Sequence, residues 1–296
     1  EETAEAAEAP PESPKEASYE LVQDLPALER WVAAAQVRGV IAVDTETTSL
    51  DPLQAELVGV SLATATGKAC YIPLGHTGAA PSDGGLDLEG SGGEAPKQIP
   101  LKKAIAAMKP LLEDPGVLKV GQNIKYDLLV LARQGISVAP VDDTMLLSYV
   151  VEGGLHGHGM DELAQLHLDY QTIKFKDVAG SGKNQVTFDY VPLDKALDYA
   201  AEDADITLRL YELLKPRLVS DRMATVYETI ERPLVQVLAE MELTGIKVDR
   251  DTLRRMSNDF AKRIGELVGP QLIGPECCRR RDRAPTGYRH RRRPED

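Results

Sequence analysis

Two acidic residues, Asp44 and Glu46, follow the apolar run 39–43 and are separated by one threonine. The run favours a β-strand, and side chains two positions apart on a strand point to the same face. Both carboxylates should therefore project together, and paired carboxylate oxygens are hard ligands that suit Mg²⁺ or Mn²⁺. An isolated pair of this kind also fits the solvated end of an ordinary strand, so it does not establish a metal site alone.

A third acidic residue, Asp127, closes the segment GQNIKYD at 121–127. The segment predicts a strand that ends at Gly121 and a helix whose first turn contains Asp127, where the helix dipole favours a negative charge. The side-chain amides of Gln122 and Asn123 suit hydrogen bonds to a sugar or a phosphate. They suit a turn whose hydrogen bonds are made within the protein equally well.

Tyr199 and Asp203 lie four positions apart in a long segment with helical spacing. Residues i and i+4 share a helix face, so the phenol and the carboxylate should converge on one point. Apolar neighbours such as Ala200 turn that face partly inward, and a carboxylate on a buried face needs a compensating cation. Glu202 and Asp205 point elsewhere, and we expect them to be solvated.

These five side chains need a framework that brings distant segments together. Short β-rich runs separated by turn residues predict a three-stranded antiparallel meander, at 39–43, 57–63 and 69–74. A fourth strand is expected at 118–120. The segment 75–98 contains seven glycines and no periodicity, which predicts a surface insertion.

Helical spacing follows the meander through most of the chain. Asp24 is a suitable N-cap for a first helix, and further helices are expected at 105–112, 126–133, 193–214 and 226–243. Pro216 should end the long helix, because proline lacks the backbone N–H that a helix interior needs. Loops are expected at 152–159 and 177–187. This order predicts an α/β fold: a mixed sheet flanked by helices, with a helical C-terminal extension.

Composition excludes several classes of protein. The chain has 296 residues, of which 43% are hydrophobic and 27% are charged, as in ordinary globular proteins. The sequence has no apolar run long enough for a membrane span and does not open with a signal peptide. Three cysteines make no disulfide framework. A cytoplasmic protein, acting as a monomer without a membrane partner, is therefore expected.

The net charge of −13 argues against a broad cationic surface for duplex nucleic acid. It does not exclude an enzyme that binds phosphates through metal ions held by carboxylates. The charge is uneven, since the last 21 residues contain eight arginines and four acidic residues. This end of the chain is expected to be disordered, either as a nucleic-acid-binding arm or as the product of a lost reading frame.

The segments that carry the five residues resemble one family in their sequence and in their order. They are similar to the DEDD 3′-5′ exonuclease superfamily, tyrosine subclass. The similarity is closer to the proofreading exonuclease domain of bacterial DNA polymerase I, over residues 19 to about 220. The matching segments are DTETTSL, VGQNIKYD, DDTMLLSYV, MDELA, VAGSGKNQVTF and YAAEDADITLRL.

The resemblance implies a ribonuclease H-like fold and a metal-dependent enzyme that hydrolyses phosphodiester bonds at the 3′ ends of single-stranded DNA. It implies two divalent metal ions, Mg²⁺ or Mn²⁺, one held by Asp44, Glu46 and Asp203 and the other by Asp44 and Asp127. Tyr199 would orient the attacking water. Six further residues match positions that cradle the 3′-terminal nucleotides, and Leu50 and Phe188 among them would wedge against bases. These six are Thr47, Leu50, Gln122, Asn123, Tyr126 and Phe188.

The resemblance also implies a domain organisation, and we expect no DNA synthesis from this chain. The expected segments are an acidic disordered linker at 1–18, the exonuclease domain at 19–220, the start of an incomplete polymerase domain at 221–267 and the Arg-rich tail at 268–296. The sequence departs from several relatives at Gly157, where they carry an arginine near the scissile phosphate. His156 and His158 have too few partners for a zinc site and are expected to be loop residues.

Two alternatives stay open at this point. The same acidic residues serve RNA 3′-5′ exonucleases, so they do not distinguish DNA from RNA. A catalytically idle domain that only supports its neighbours is the other alternative, although it would not require all four acids and the tyrosine.

Overall fold

The computed structural model describes residues 17–78 and 95–268. Its centre is a six-stranded mixed sheet with the strand order β1-β4-β3-β2-β5-β6. The strands are β1 (Ser18–Leu21), β2 (Val40–Thr47), β3 (Leu57–Ala65), β4 (Lys68–Pro73), β5 (Leu118–Gly121) and β6 (Val141–Asp143). The predicted meander is confirmed, because β2, β3 and β4 pair antiparallel in sequence order.

Two strands at the sheet edges were not predicted. β1 pairs parallel with β4, and β6 pairs parallel with β5, which itself runs parallel to β2. Both edge strands are short, four and three residues long, so neither contains enough residues to show an alternating pattern. The prediction of a mixed sheet flanked by helices is confirmed.

Ten α-helices lie within the described residues. The first four are α1 (Leu25–Arg38), α2 (Leu101–Leu112), α3 (Lys125–Arg133) and α4 (Thr144–Glu152). The next three are α5 (Met160–Leu168), α6 (Phe175–Ala179) and α7 (Leu193–Ser220). The last three are α8 (Ala224–Val226), α9 (Arg232–Thr244) and α10 (Arg250–Val268), with a π-helical turn at Tyr227–Glu231 before α9.

The ends of α1 follow the local signals in the sequence. The Asp24 carboxylate accepts a hydrogen bond from the Ala27 N–H at 3.0 Å, as an N-cap does. At the other end Gly39 adopts φ +74°, a left-handed conformation that glycine reaches without steric cost. The predicted cap of the first helix is confirmed.

The long helix α7 does not stop at Pro216 as predicted, because it continues to Ser220. Proline inside a helix costs about 3 kcal/mol through a lost hydrogen bond and a steric clash. Leu214 and Leu218 on either side of it are buried against α4 and α5, and burying each leucine contributes about 1.5–3 kcal/mol. Tertiary packing therefore offsets the local cost.

Small side chains let α7 lie close to the sheet. Ala42, Ala63 and Ala69 on three neighbouring strands form a buried cluster with Ala201 and Ala204 of the helix. Residues without long side chains allow two backbones to approach closely. As a result, the residues of α7 that flank this cluster, among them Tyr199 and Asp203, are held near the acidic end of β2.

The opposite side of the molecule holds the largest hydrophobic cluster. Residues from α1, α2 and α3 pack there with Ile41, Val43 and Leu62 of the sheet. Val235 and Ala239 of α9 belong to the same cluster. Residues 221–244, predicted to begin a polymerase domain, thus pack in one compact unit with the sheet, and that unit extends to Thr244. Residues from Gly245 onward form a separate unit, whose described part contains α10.

Several predicted features fall on residues that are not described. Most of the glycine-rich insertion 75–98, nearly all of the linker 1–18 and of the tail 268–296 lie outside the described residues. The predicted loop 177–187 is partly wrong, since α6 extends to Ala179 and a 3₁₀ turn covers 182–184. In the described ranges, no helix combines the length and apolar character needed to cross a membrane.

Candidate active site

The strand β2 presents Asp44 and Glu46 on one face of the sheet, as their spacing predicts. Glu46 is buried and Asp44 is half-buried. The register of β2 against β3 shifts between Glu46 and Thr47, so the regular ladder ends just after the second acid. Asp203, from α7, completes a cluster in which one oxygen from each of the three carboxylates lies within 4.8 Å of the others.

Asp127 reaches the same region from the first turn of α3, as predicted. Its carboxylate is buried and accepts a hydrogen bond from the Thr45 hydroxyl at 2.5 Å. Thr45 stands between the two acids of β2 and 82 residues before Asp127 along the chain. Its role was missed because a threonine in a strand is ordinary, and no local pattern marks it as the partner of a distant acid.

Burial raises the pKa of all four carboxylates, and repulsion by neighbouring acids adds to the rise for Glu46, Asp127 and Asp203. Burial raises the pKa of Asp44 from 3.8 to about 6, although a hydrogen bond from the Thr45 backbone opposes the rise. Burial is also the main cause of the raised pKa values of Glu46, Asp127 and Asp203, and the charge of Asp44 raises each of them further. No basic side chain is among the main causes of these pKa values for the described residues. The cluster therefore favours binding of protons or cations.

Tyr199 lies one helical turn before Asp203, and its hydroxyl is close enough to that carboxylate to lower the pKa of Asp203, against the larger rise from burial. Burial is the main cause of the strongly raised pKa of Tyr199, and the charges of Asp203 and Glu46 add to it. The phenol therefore stays protonated across the ordinary pH range. It offers a fixed hydroxyl at the edge of the carboxylate cluster.

Thr47 and Tyr126 bring two hydroxyl groups together beside the cluster. Their oxygens are in direct contact, and each also lies within hydrogen-bond distance of the Ser49 carbonyl oxygen, 3.0 Å from Thr47 and 2.5 Å from Tyr126, so the two hydroxyl hydrogens serve two of these three contacts. These bonds fasten the segment after β2. The next residue, Leu50, leaves 97% of its surface exposed, so it projects from an anchored loop.

The side chains of Gln122 and Asn123 differ in whether they form hydrogen bonds within the protein. The Gln122 amide donates to the His158 carbonyl oxygen at 2.8 Å and accepts from the Thr144 hydroxyl at 2.5 Å. Asn123 is exposed, and its backbone adopts φ +59°, which asparagine tolerates. Gln122 thus makes hydrogen bonds within the protein, which is one of the two roles predicted for it. The Asn123 side chain faces solvent.

Phe188, predicted to wedge against a base, is fully buried in this structure. It has no exposed surface and packs against Tyr199, with ring centroids 5.8 Å apart. In this conformation it cannot contact a base, because other aromatic rings cover it. Phe175 is one of them, stacked on Phe188 at 6.3 Å with an interplanar angle of 25° and 37% exposed. No local pattern in the sequence distinguishes these two phenylalanines.

The prediction that Glu202 and Asp205 are solvated is wrong, since both are buried. Glu202 accepts hydrogen bonds from the Tyr170 hydroxyl at 2.5 Å and from the Ile173 N–H at 2.6 Å. Asp205 pairs with Arg209 at 3.2 Å. Helix α7 is covered on more than one face, so acids that point away from the carboxylate cluster are also enclosed, each with its own hydrogen-bond donors.

Comparisons with known proteins agree with this geometry. A family model described as a 3′-5′ exonuclease matches residues 19–219. DNA polymerase I of Rhizobium leguminosarum is 52% identical over 84% of this chain, but the match covers only 25% of that protein. The chain thus spans about a quarter of the length of this curated relative.

Solved structures support the fold. Brucella melitensis NrnC aligns with a TM-score of 0.52 and 25% identity, over 70% of this chain and 86% of that one. Escherichia coli RNase D, an exoribonuclease involved in structured RNA processing, aligns with a TM-score of 0.53 at 17% identity, over 81% of this chain and 54% of that one. The ribonuclease H-like fold class is confirmed. The matched family and the carboxylate cluster agree with each other, and the chain belongs to the 3′-5′ exonuclease family, in the form found in bacterial DNA polymerase I.

Proposed function

We propose that this chain removes nucleotides from the 3′ ends of single-stranded DNA, as the proofreading part of a DNA polymerase I, with two bound divalent metal ions. One observation carries the proposal. Three carboxylates from β2 and α7 lie within 4.8 Å of one another, the charge of Asp44 also raises the pKa of the buried Asp127 of α3, and no basic side chain is among the main causes of these pKa values. Such a cluster costs stability unless cations occupy it.

The donor set fits hard divalent ions. All four groups are carboxylates, and oxygen ligands suit Mg²⁺ and Mn²⁺. Asp44, Glu46 and Asp203 would hold one ion, and Asp44 and Asp127 the other. Asp44 is the residue suited to serve both, because its charge raises the pKa of each of the other three. Ions bound there would supply an activated water and stabilise the leaving 3′ oxygen.

The chain's own residues would hold the substrate in place for that chemistry. Tyr199 presents a permanently protonated hydroxyl beside Asp203 and would orient the water that attacks the phosphorus. Leu50 would pack against a base from its anchored loop, and such a contact is indifferent to base identity. The exposed Asn123 amide and the Thr47–Tyr126 hydroxyl pair would contact sugar or phosphate. Gln122 would act by fixing the neighbouring loop.

The test is digestion of matched DNA and RNA oligonucleotides, labelled at the 5′ end, by the purified chain with Mg²⁺ or with EDTA. A ladder that shortens from the 3′ end of DNA, and only with metal, is the expected result. Asp203→Asn should abolish it. Asp198→Asn is the matched control, because it removes an exposed carboxylate from the same helix.

Other outcomes would contradict parts of the proposal. Faster digestion of the RNA strand would assign the chain to RNA 3′-5′ exonucleases, the class of the RNase D neighbour. No digestion of either strand by a folded, metal-binding protein would favour the idle domain.

A further inference from the structure

A second cluster of possible metal ligands lies away from the carboxylate cluster. Glu152 at the end of α4, His156 in the following loop and His167 on α5 place one ligand atom each within 4.8 Å of one another. The Nε2 atoms of both imidazoles approach the same Glu152 oxygen, Oε2, at 2.8 Å from His156 and 3.0 Å from His167. All three side chains are at least five-sixths buried. The sequence predicted too few ligands for a zinc site at His156. His167 lies 11 positions further along the chain and Glu152 lies in a helix, so neither was recognised as a partner.

The hydrogen bonds around the cluster define which nitrogen of His156 faces inward. Its Nδ1 lies 2.6 Å from the Gly157 carbonyl oxygen, which can only accept, so Nδ1 carries the proton. In the neutral ring, Nε2 then presents a lone pair toward the Glu152 oxygen. Either a proton on Nε2 or a metal ion in its place satisfies both electron pairs, so the same two atoms can form an ion pair or bind a metal. Metal-bound histidines commonly donate their other ring N–H to a backbone carbonyl in this way.

The second oxygen of Glu152 is held from outside the cluster. Arg217 of α7 donates from Nη1 to Oε1 at 2.5 Å and pairs at 3.5 Å with Asp221 through its other terminal nitrogen. This bond orients the carboxylate so that Oε2 faces the two imidazoles. Arg217 thus has the position of an outer-shell partner that fixes a ligand, and Asp221 offsets part of its charge.

We propose that Glu152, His156 and His167 form a Zn²⁺ site that joins the end of α4, the loop 153–159 and α5. Two imidazole nitrogens and one carboxylate oxygen are a zinc donor set, with water free to take the fourth position. Imidazole ligands suit Zn²⁺, whereas the all-carboxylate cluster suits harder ions, so the two sites select different metals by ligand type.

The loop gives this site a structural purpose. Four of the seven residues at 153–159 are glycines, and glycine loses more backbone entropy than any other residue when it is ordered. A metal bond through His156 would restrict the loop at its centre. Two residues later, the His158 carbonyl oxygen accepts the hydrogen bond from the Gln122 amide. The Zn²⁺ site would therefore hold the loop against Gln122, next to Asn123. It would not be part of the carboxylate cluster.

The experiment is a Zn²⁺ titration of the full chain, in competition with a chromogenic chelator and with excess Mg²⁺ to occupy the carboxylates. Cys277→Ser and Cys278→Ser are introduced in every sample, because these cysteines could bind zinc themselves. The parent should bind one Zn²⁺ tightly. Loss of an outer-shell partner alone weakens metal binding about 10- to 100-fold, so His167→Gln should weaken it by about 100-fold or more. His158→Gln, in the same loop, should bind like the parent, since its side chain bonds to Ser148 instead.

A second measurement needs no variant at the site. The chain has five histidines, so their imidazole C–H signals are few enough to follow by NMR. One equivalent of Zn²⁺ should shift the signals of His156 and His167. Zn²⁺ that leaves both signals unchanged, or equal Zn²⁺ affinity in the parent and in a folded His167→Gln protein, would overturn the proposal. Neither readout depends on nuclease activity.

Discussion

Asp44→Asn should stabilise the metal-free protein while abolishing DNA cleavage. The substitution keeps the shape of the side chain and an oxygen that can accept the hydrogen bond from the Thr45 backbone. It removes the charge that raises the pKa values of Glu46, Asp127 and Asp203. It also removes the ligand proposed to serve both metal ions. Stability and activity should therefore change in opposite directions.

The size and the pH range of the stability effect follow from the raised pKa. Burial moves the pKa of Asp44 from 3.8 to about 6, a rise of about two pH units, and each unit corresponds to about 1.4 kcal/mol. The folded state therefore binds this proton more tightly than the unfolded state does. The resulting stabilisation is complete below about pH 4 and is lost as the pH rises through about 6. At pH 8 the ionised Asp44 should cost the metal-free protein up to about 3 kcal/mol, and asparagine should remove that cost.

Urea denaturation in EDTA, at about pH 4 and pH 8, measures this difference. The free energy of unfolding of Asp44→Asn should exceed that of the parent at pH 8 by about 1–3 kcal/mol, and the two should be nearly equal at pH 4. Mg²⁺ should then stabilise the parent and have little effect on the variant. Asp198→Asn, on the exposed face of α7, should show neither change.

Two results would refute the reasoning. A metal-free Asp44→Asn protein that is less stable than the parent at pH 8 would mean that the surroundings of Asp44 stabilise its charge instead of destabilising it through burial. Near-normal cleavage by the variant would rule out the two-metal assignment, whatever family the chain belongs to.

Three further predictions address the other elements of the site. Tyr199→Phe keeps the ring packed and removes only the hydroxyl, so cleavage should slow by roughly 10-fold or more in single-turnover assays while DNA binding, measured by anisotropy, changes little. Asp127→Ala should lose nearly as much activity as Asp44→Asn, and calorimetry should detect one fewer Mg²⁺; full binding of two ions would contradict its assignment. Ala204→Leu forces a larger side chain between α7 and the sheet, so it should lower the free energy of unfolding by about 1–3 kcal/mol and reduce cleavage, and unchanged values would show that close approach of the helix is not required.

Local patterns in the sequence predicted the elements that carry the site. The alternation of a strand placed Asp44 and Glu46 on one face, and the period of a helix placed Tyr199 one turn before Asp203. Both are consequences of backbone geometry over four residues or fewer, so no knowledge of the rest of the chain was needed. The N-cap at Asp24 was predictable for the same reason, and the meander of β2, β3 and β4 was predictable from short β-rich runs separated by turn residues.

Family resemblance added what local geometry does not contain. Motif order linked Asp127 to residues more than 70 positions away on either side, and the match to the 3′-5′ exonuclease family agrees with that link. It did not indicate that Phe188, expected to face a base, is enclosed in this structure, because burial depends on which neighbours cover a side chain, and here Phe175 and Tyr199 cover it.

Only the tertiary structure decided how distant elements meet. The hydrogen bond from Thr45 to Asp127, the close approach of α7 through alanines and the grouping of Glu152, His156 and His167 all join segments with no local relationship. Pro216 stays within α7 because buried leucines on either side outweigh the local preference of proline. Packing energy is summed over the whole fold, whereas sequence periodicity reports a few residues at a time, and for that reason these features were not predictable from the sequence.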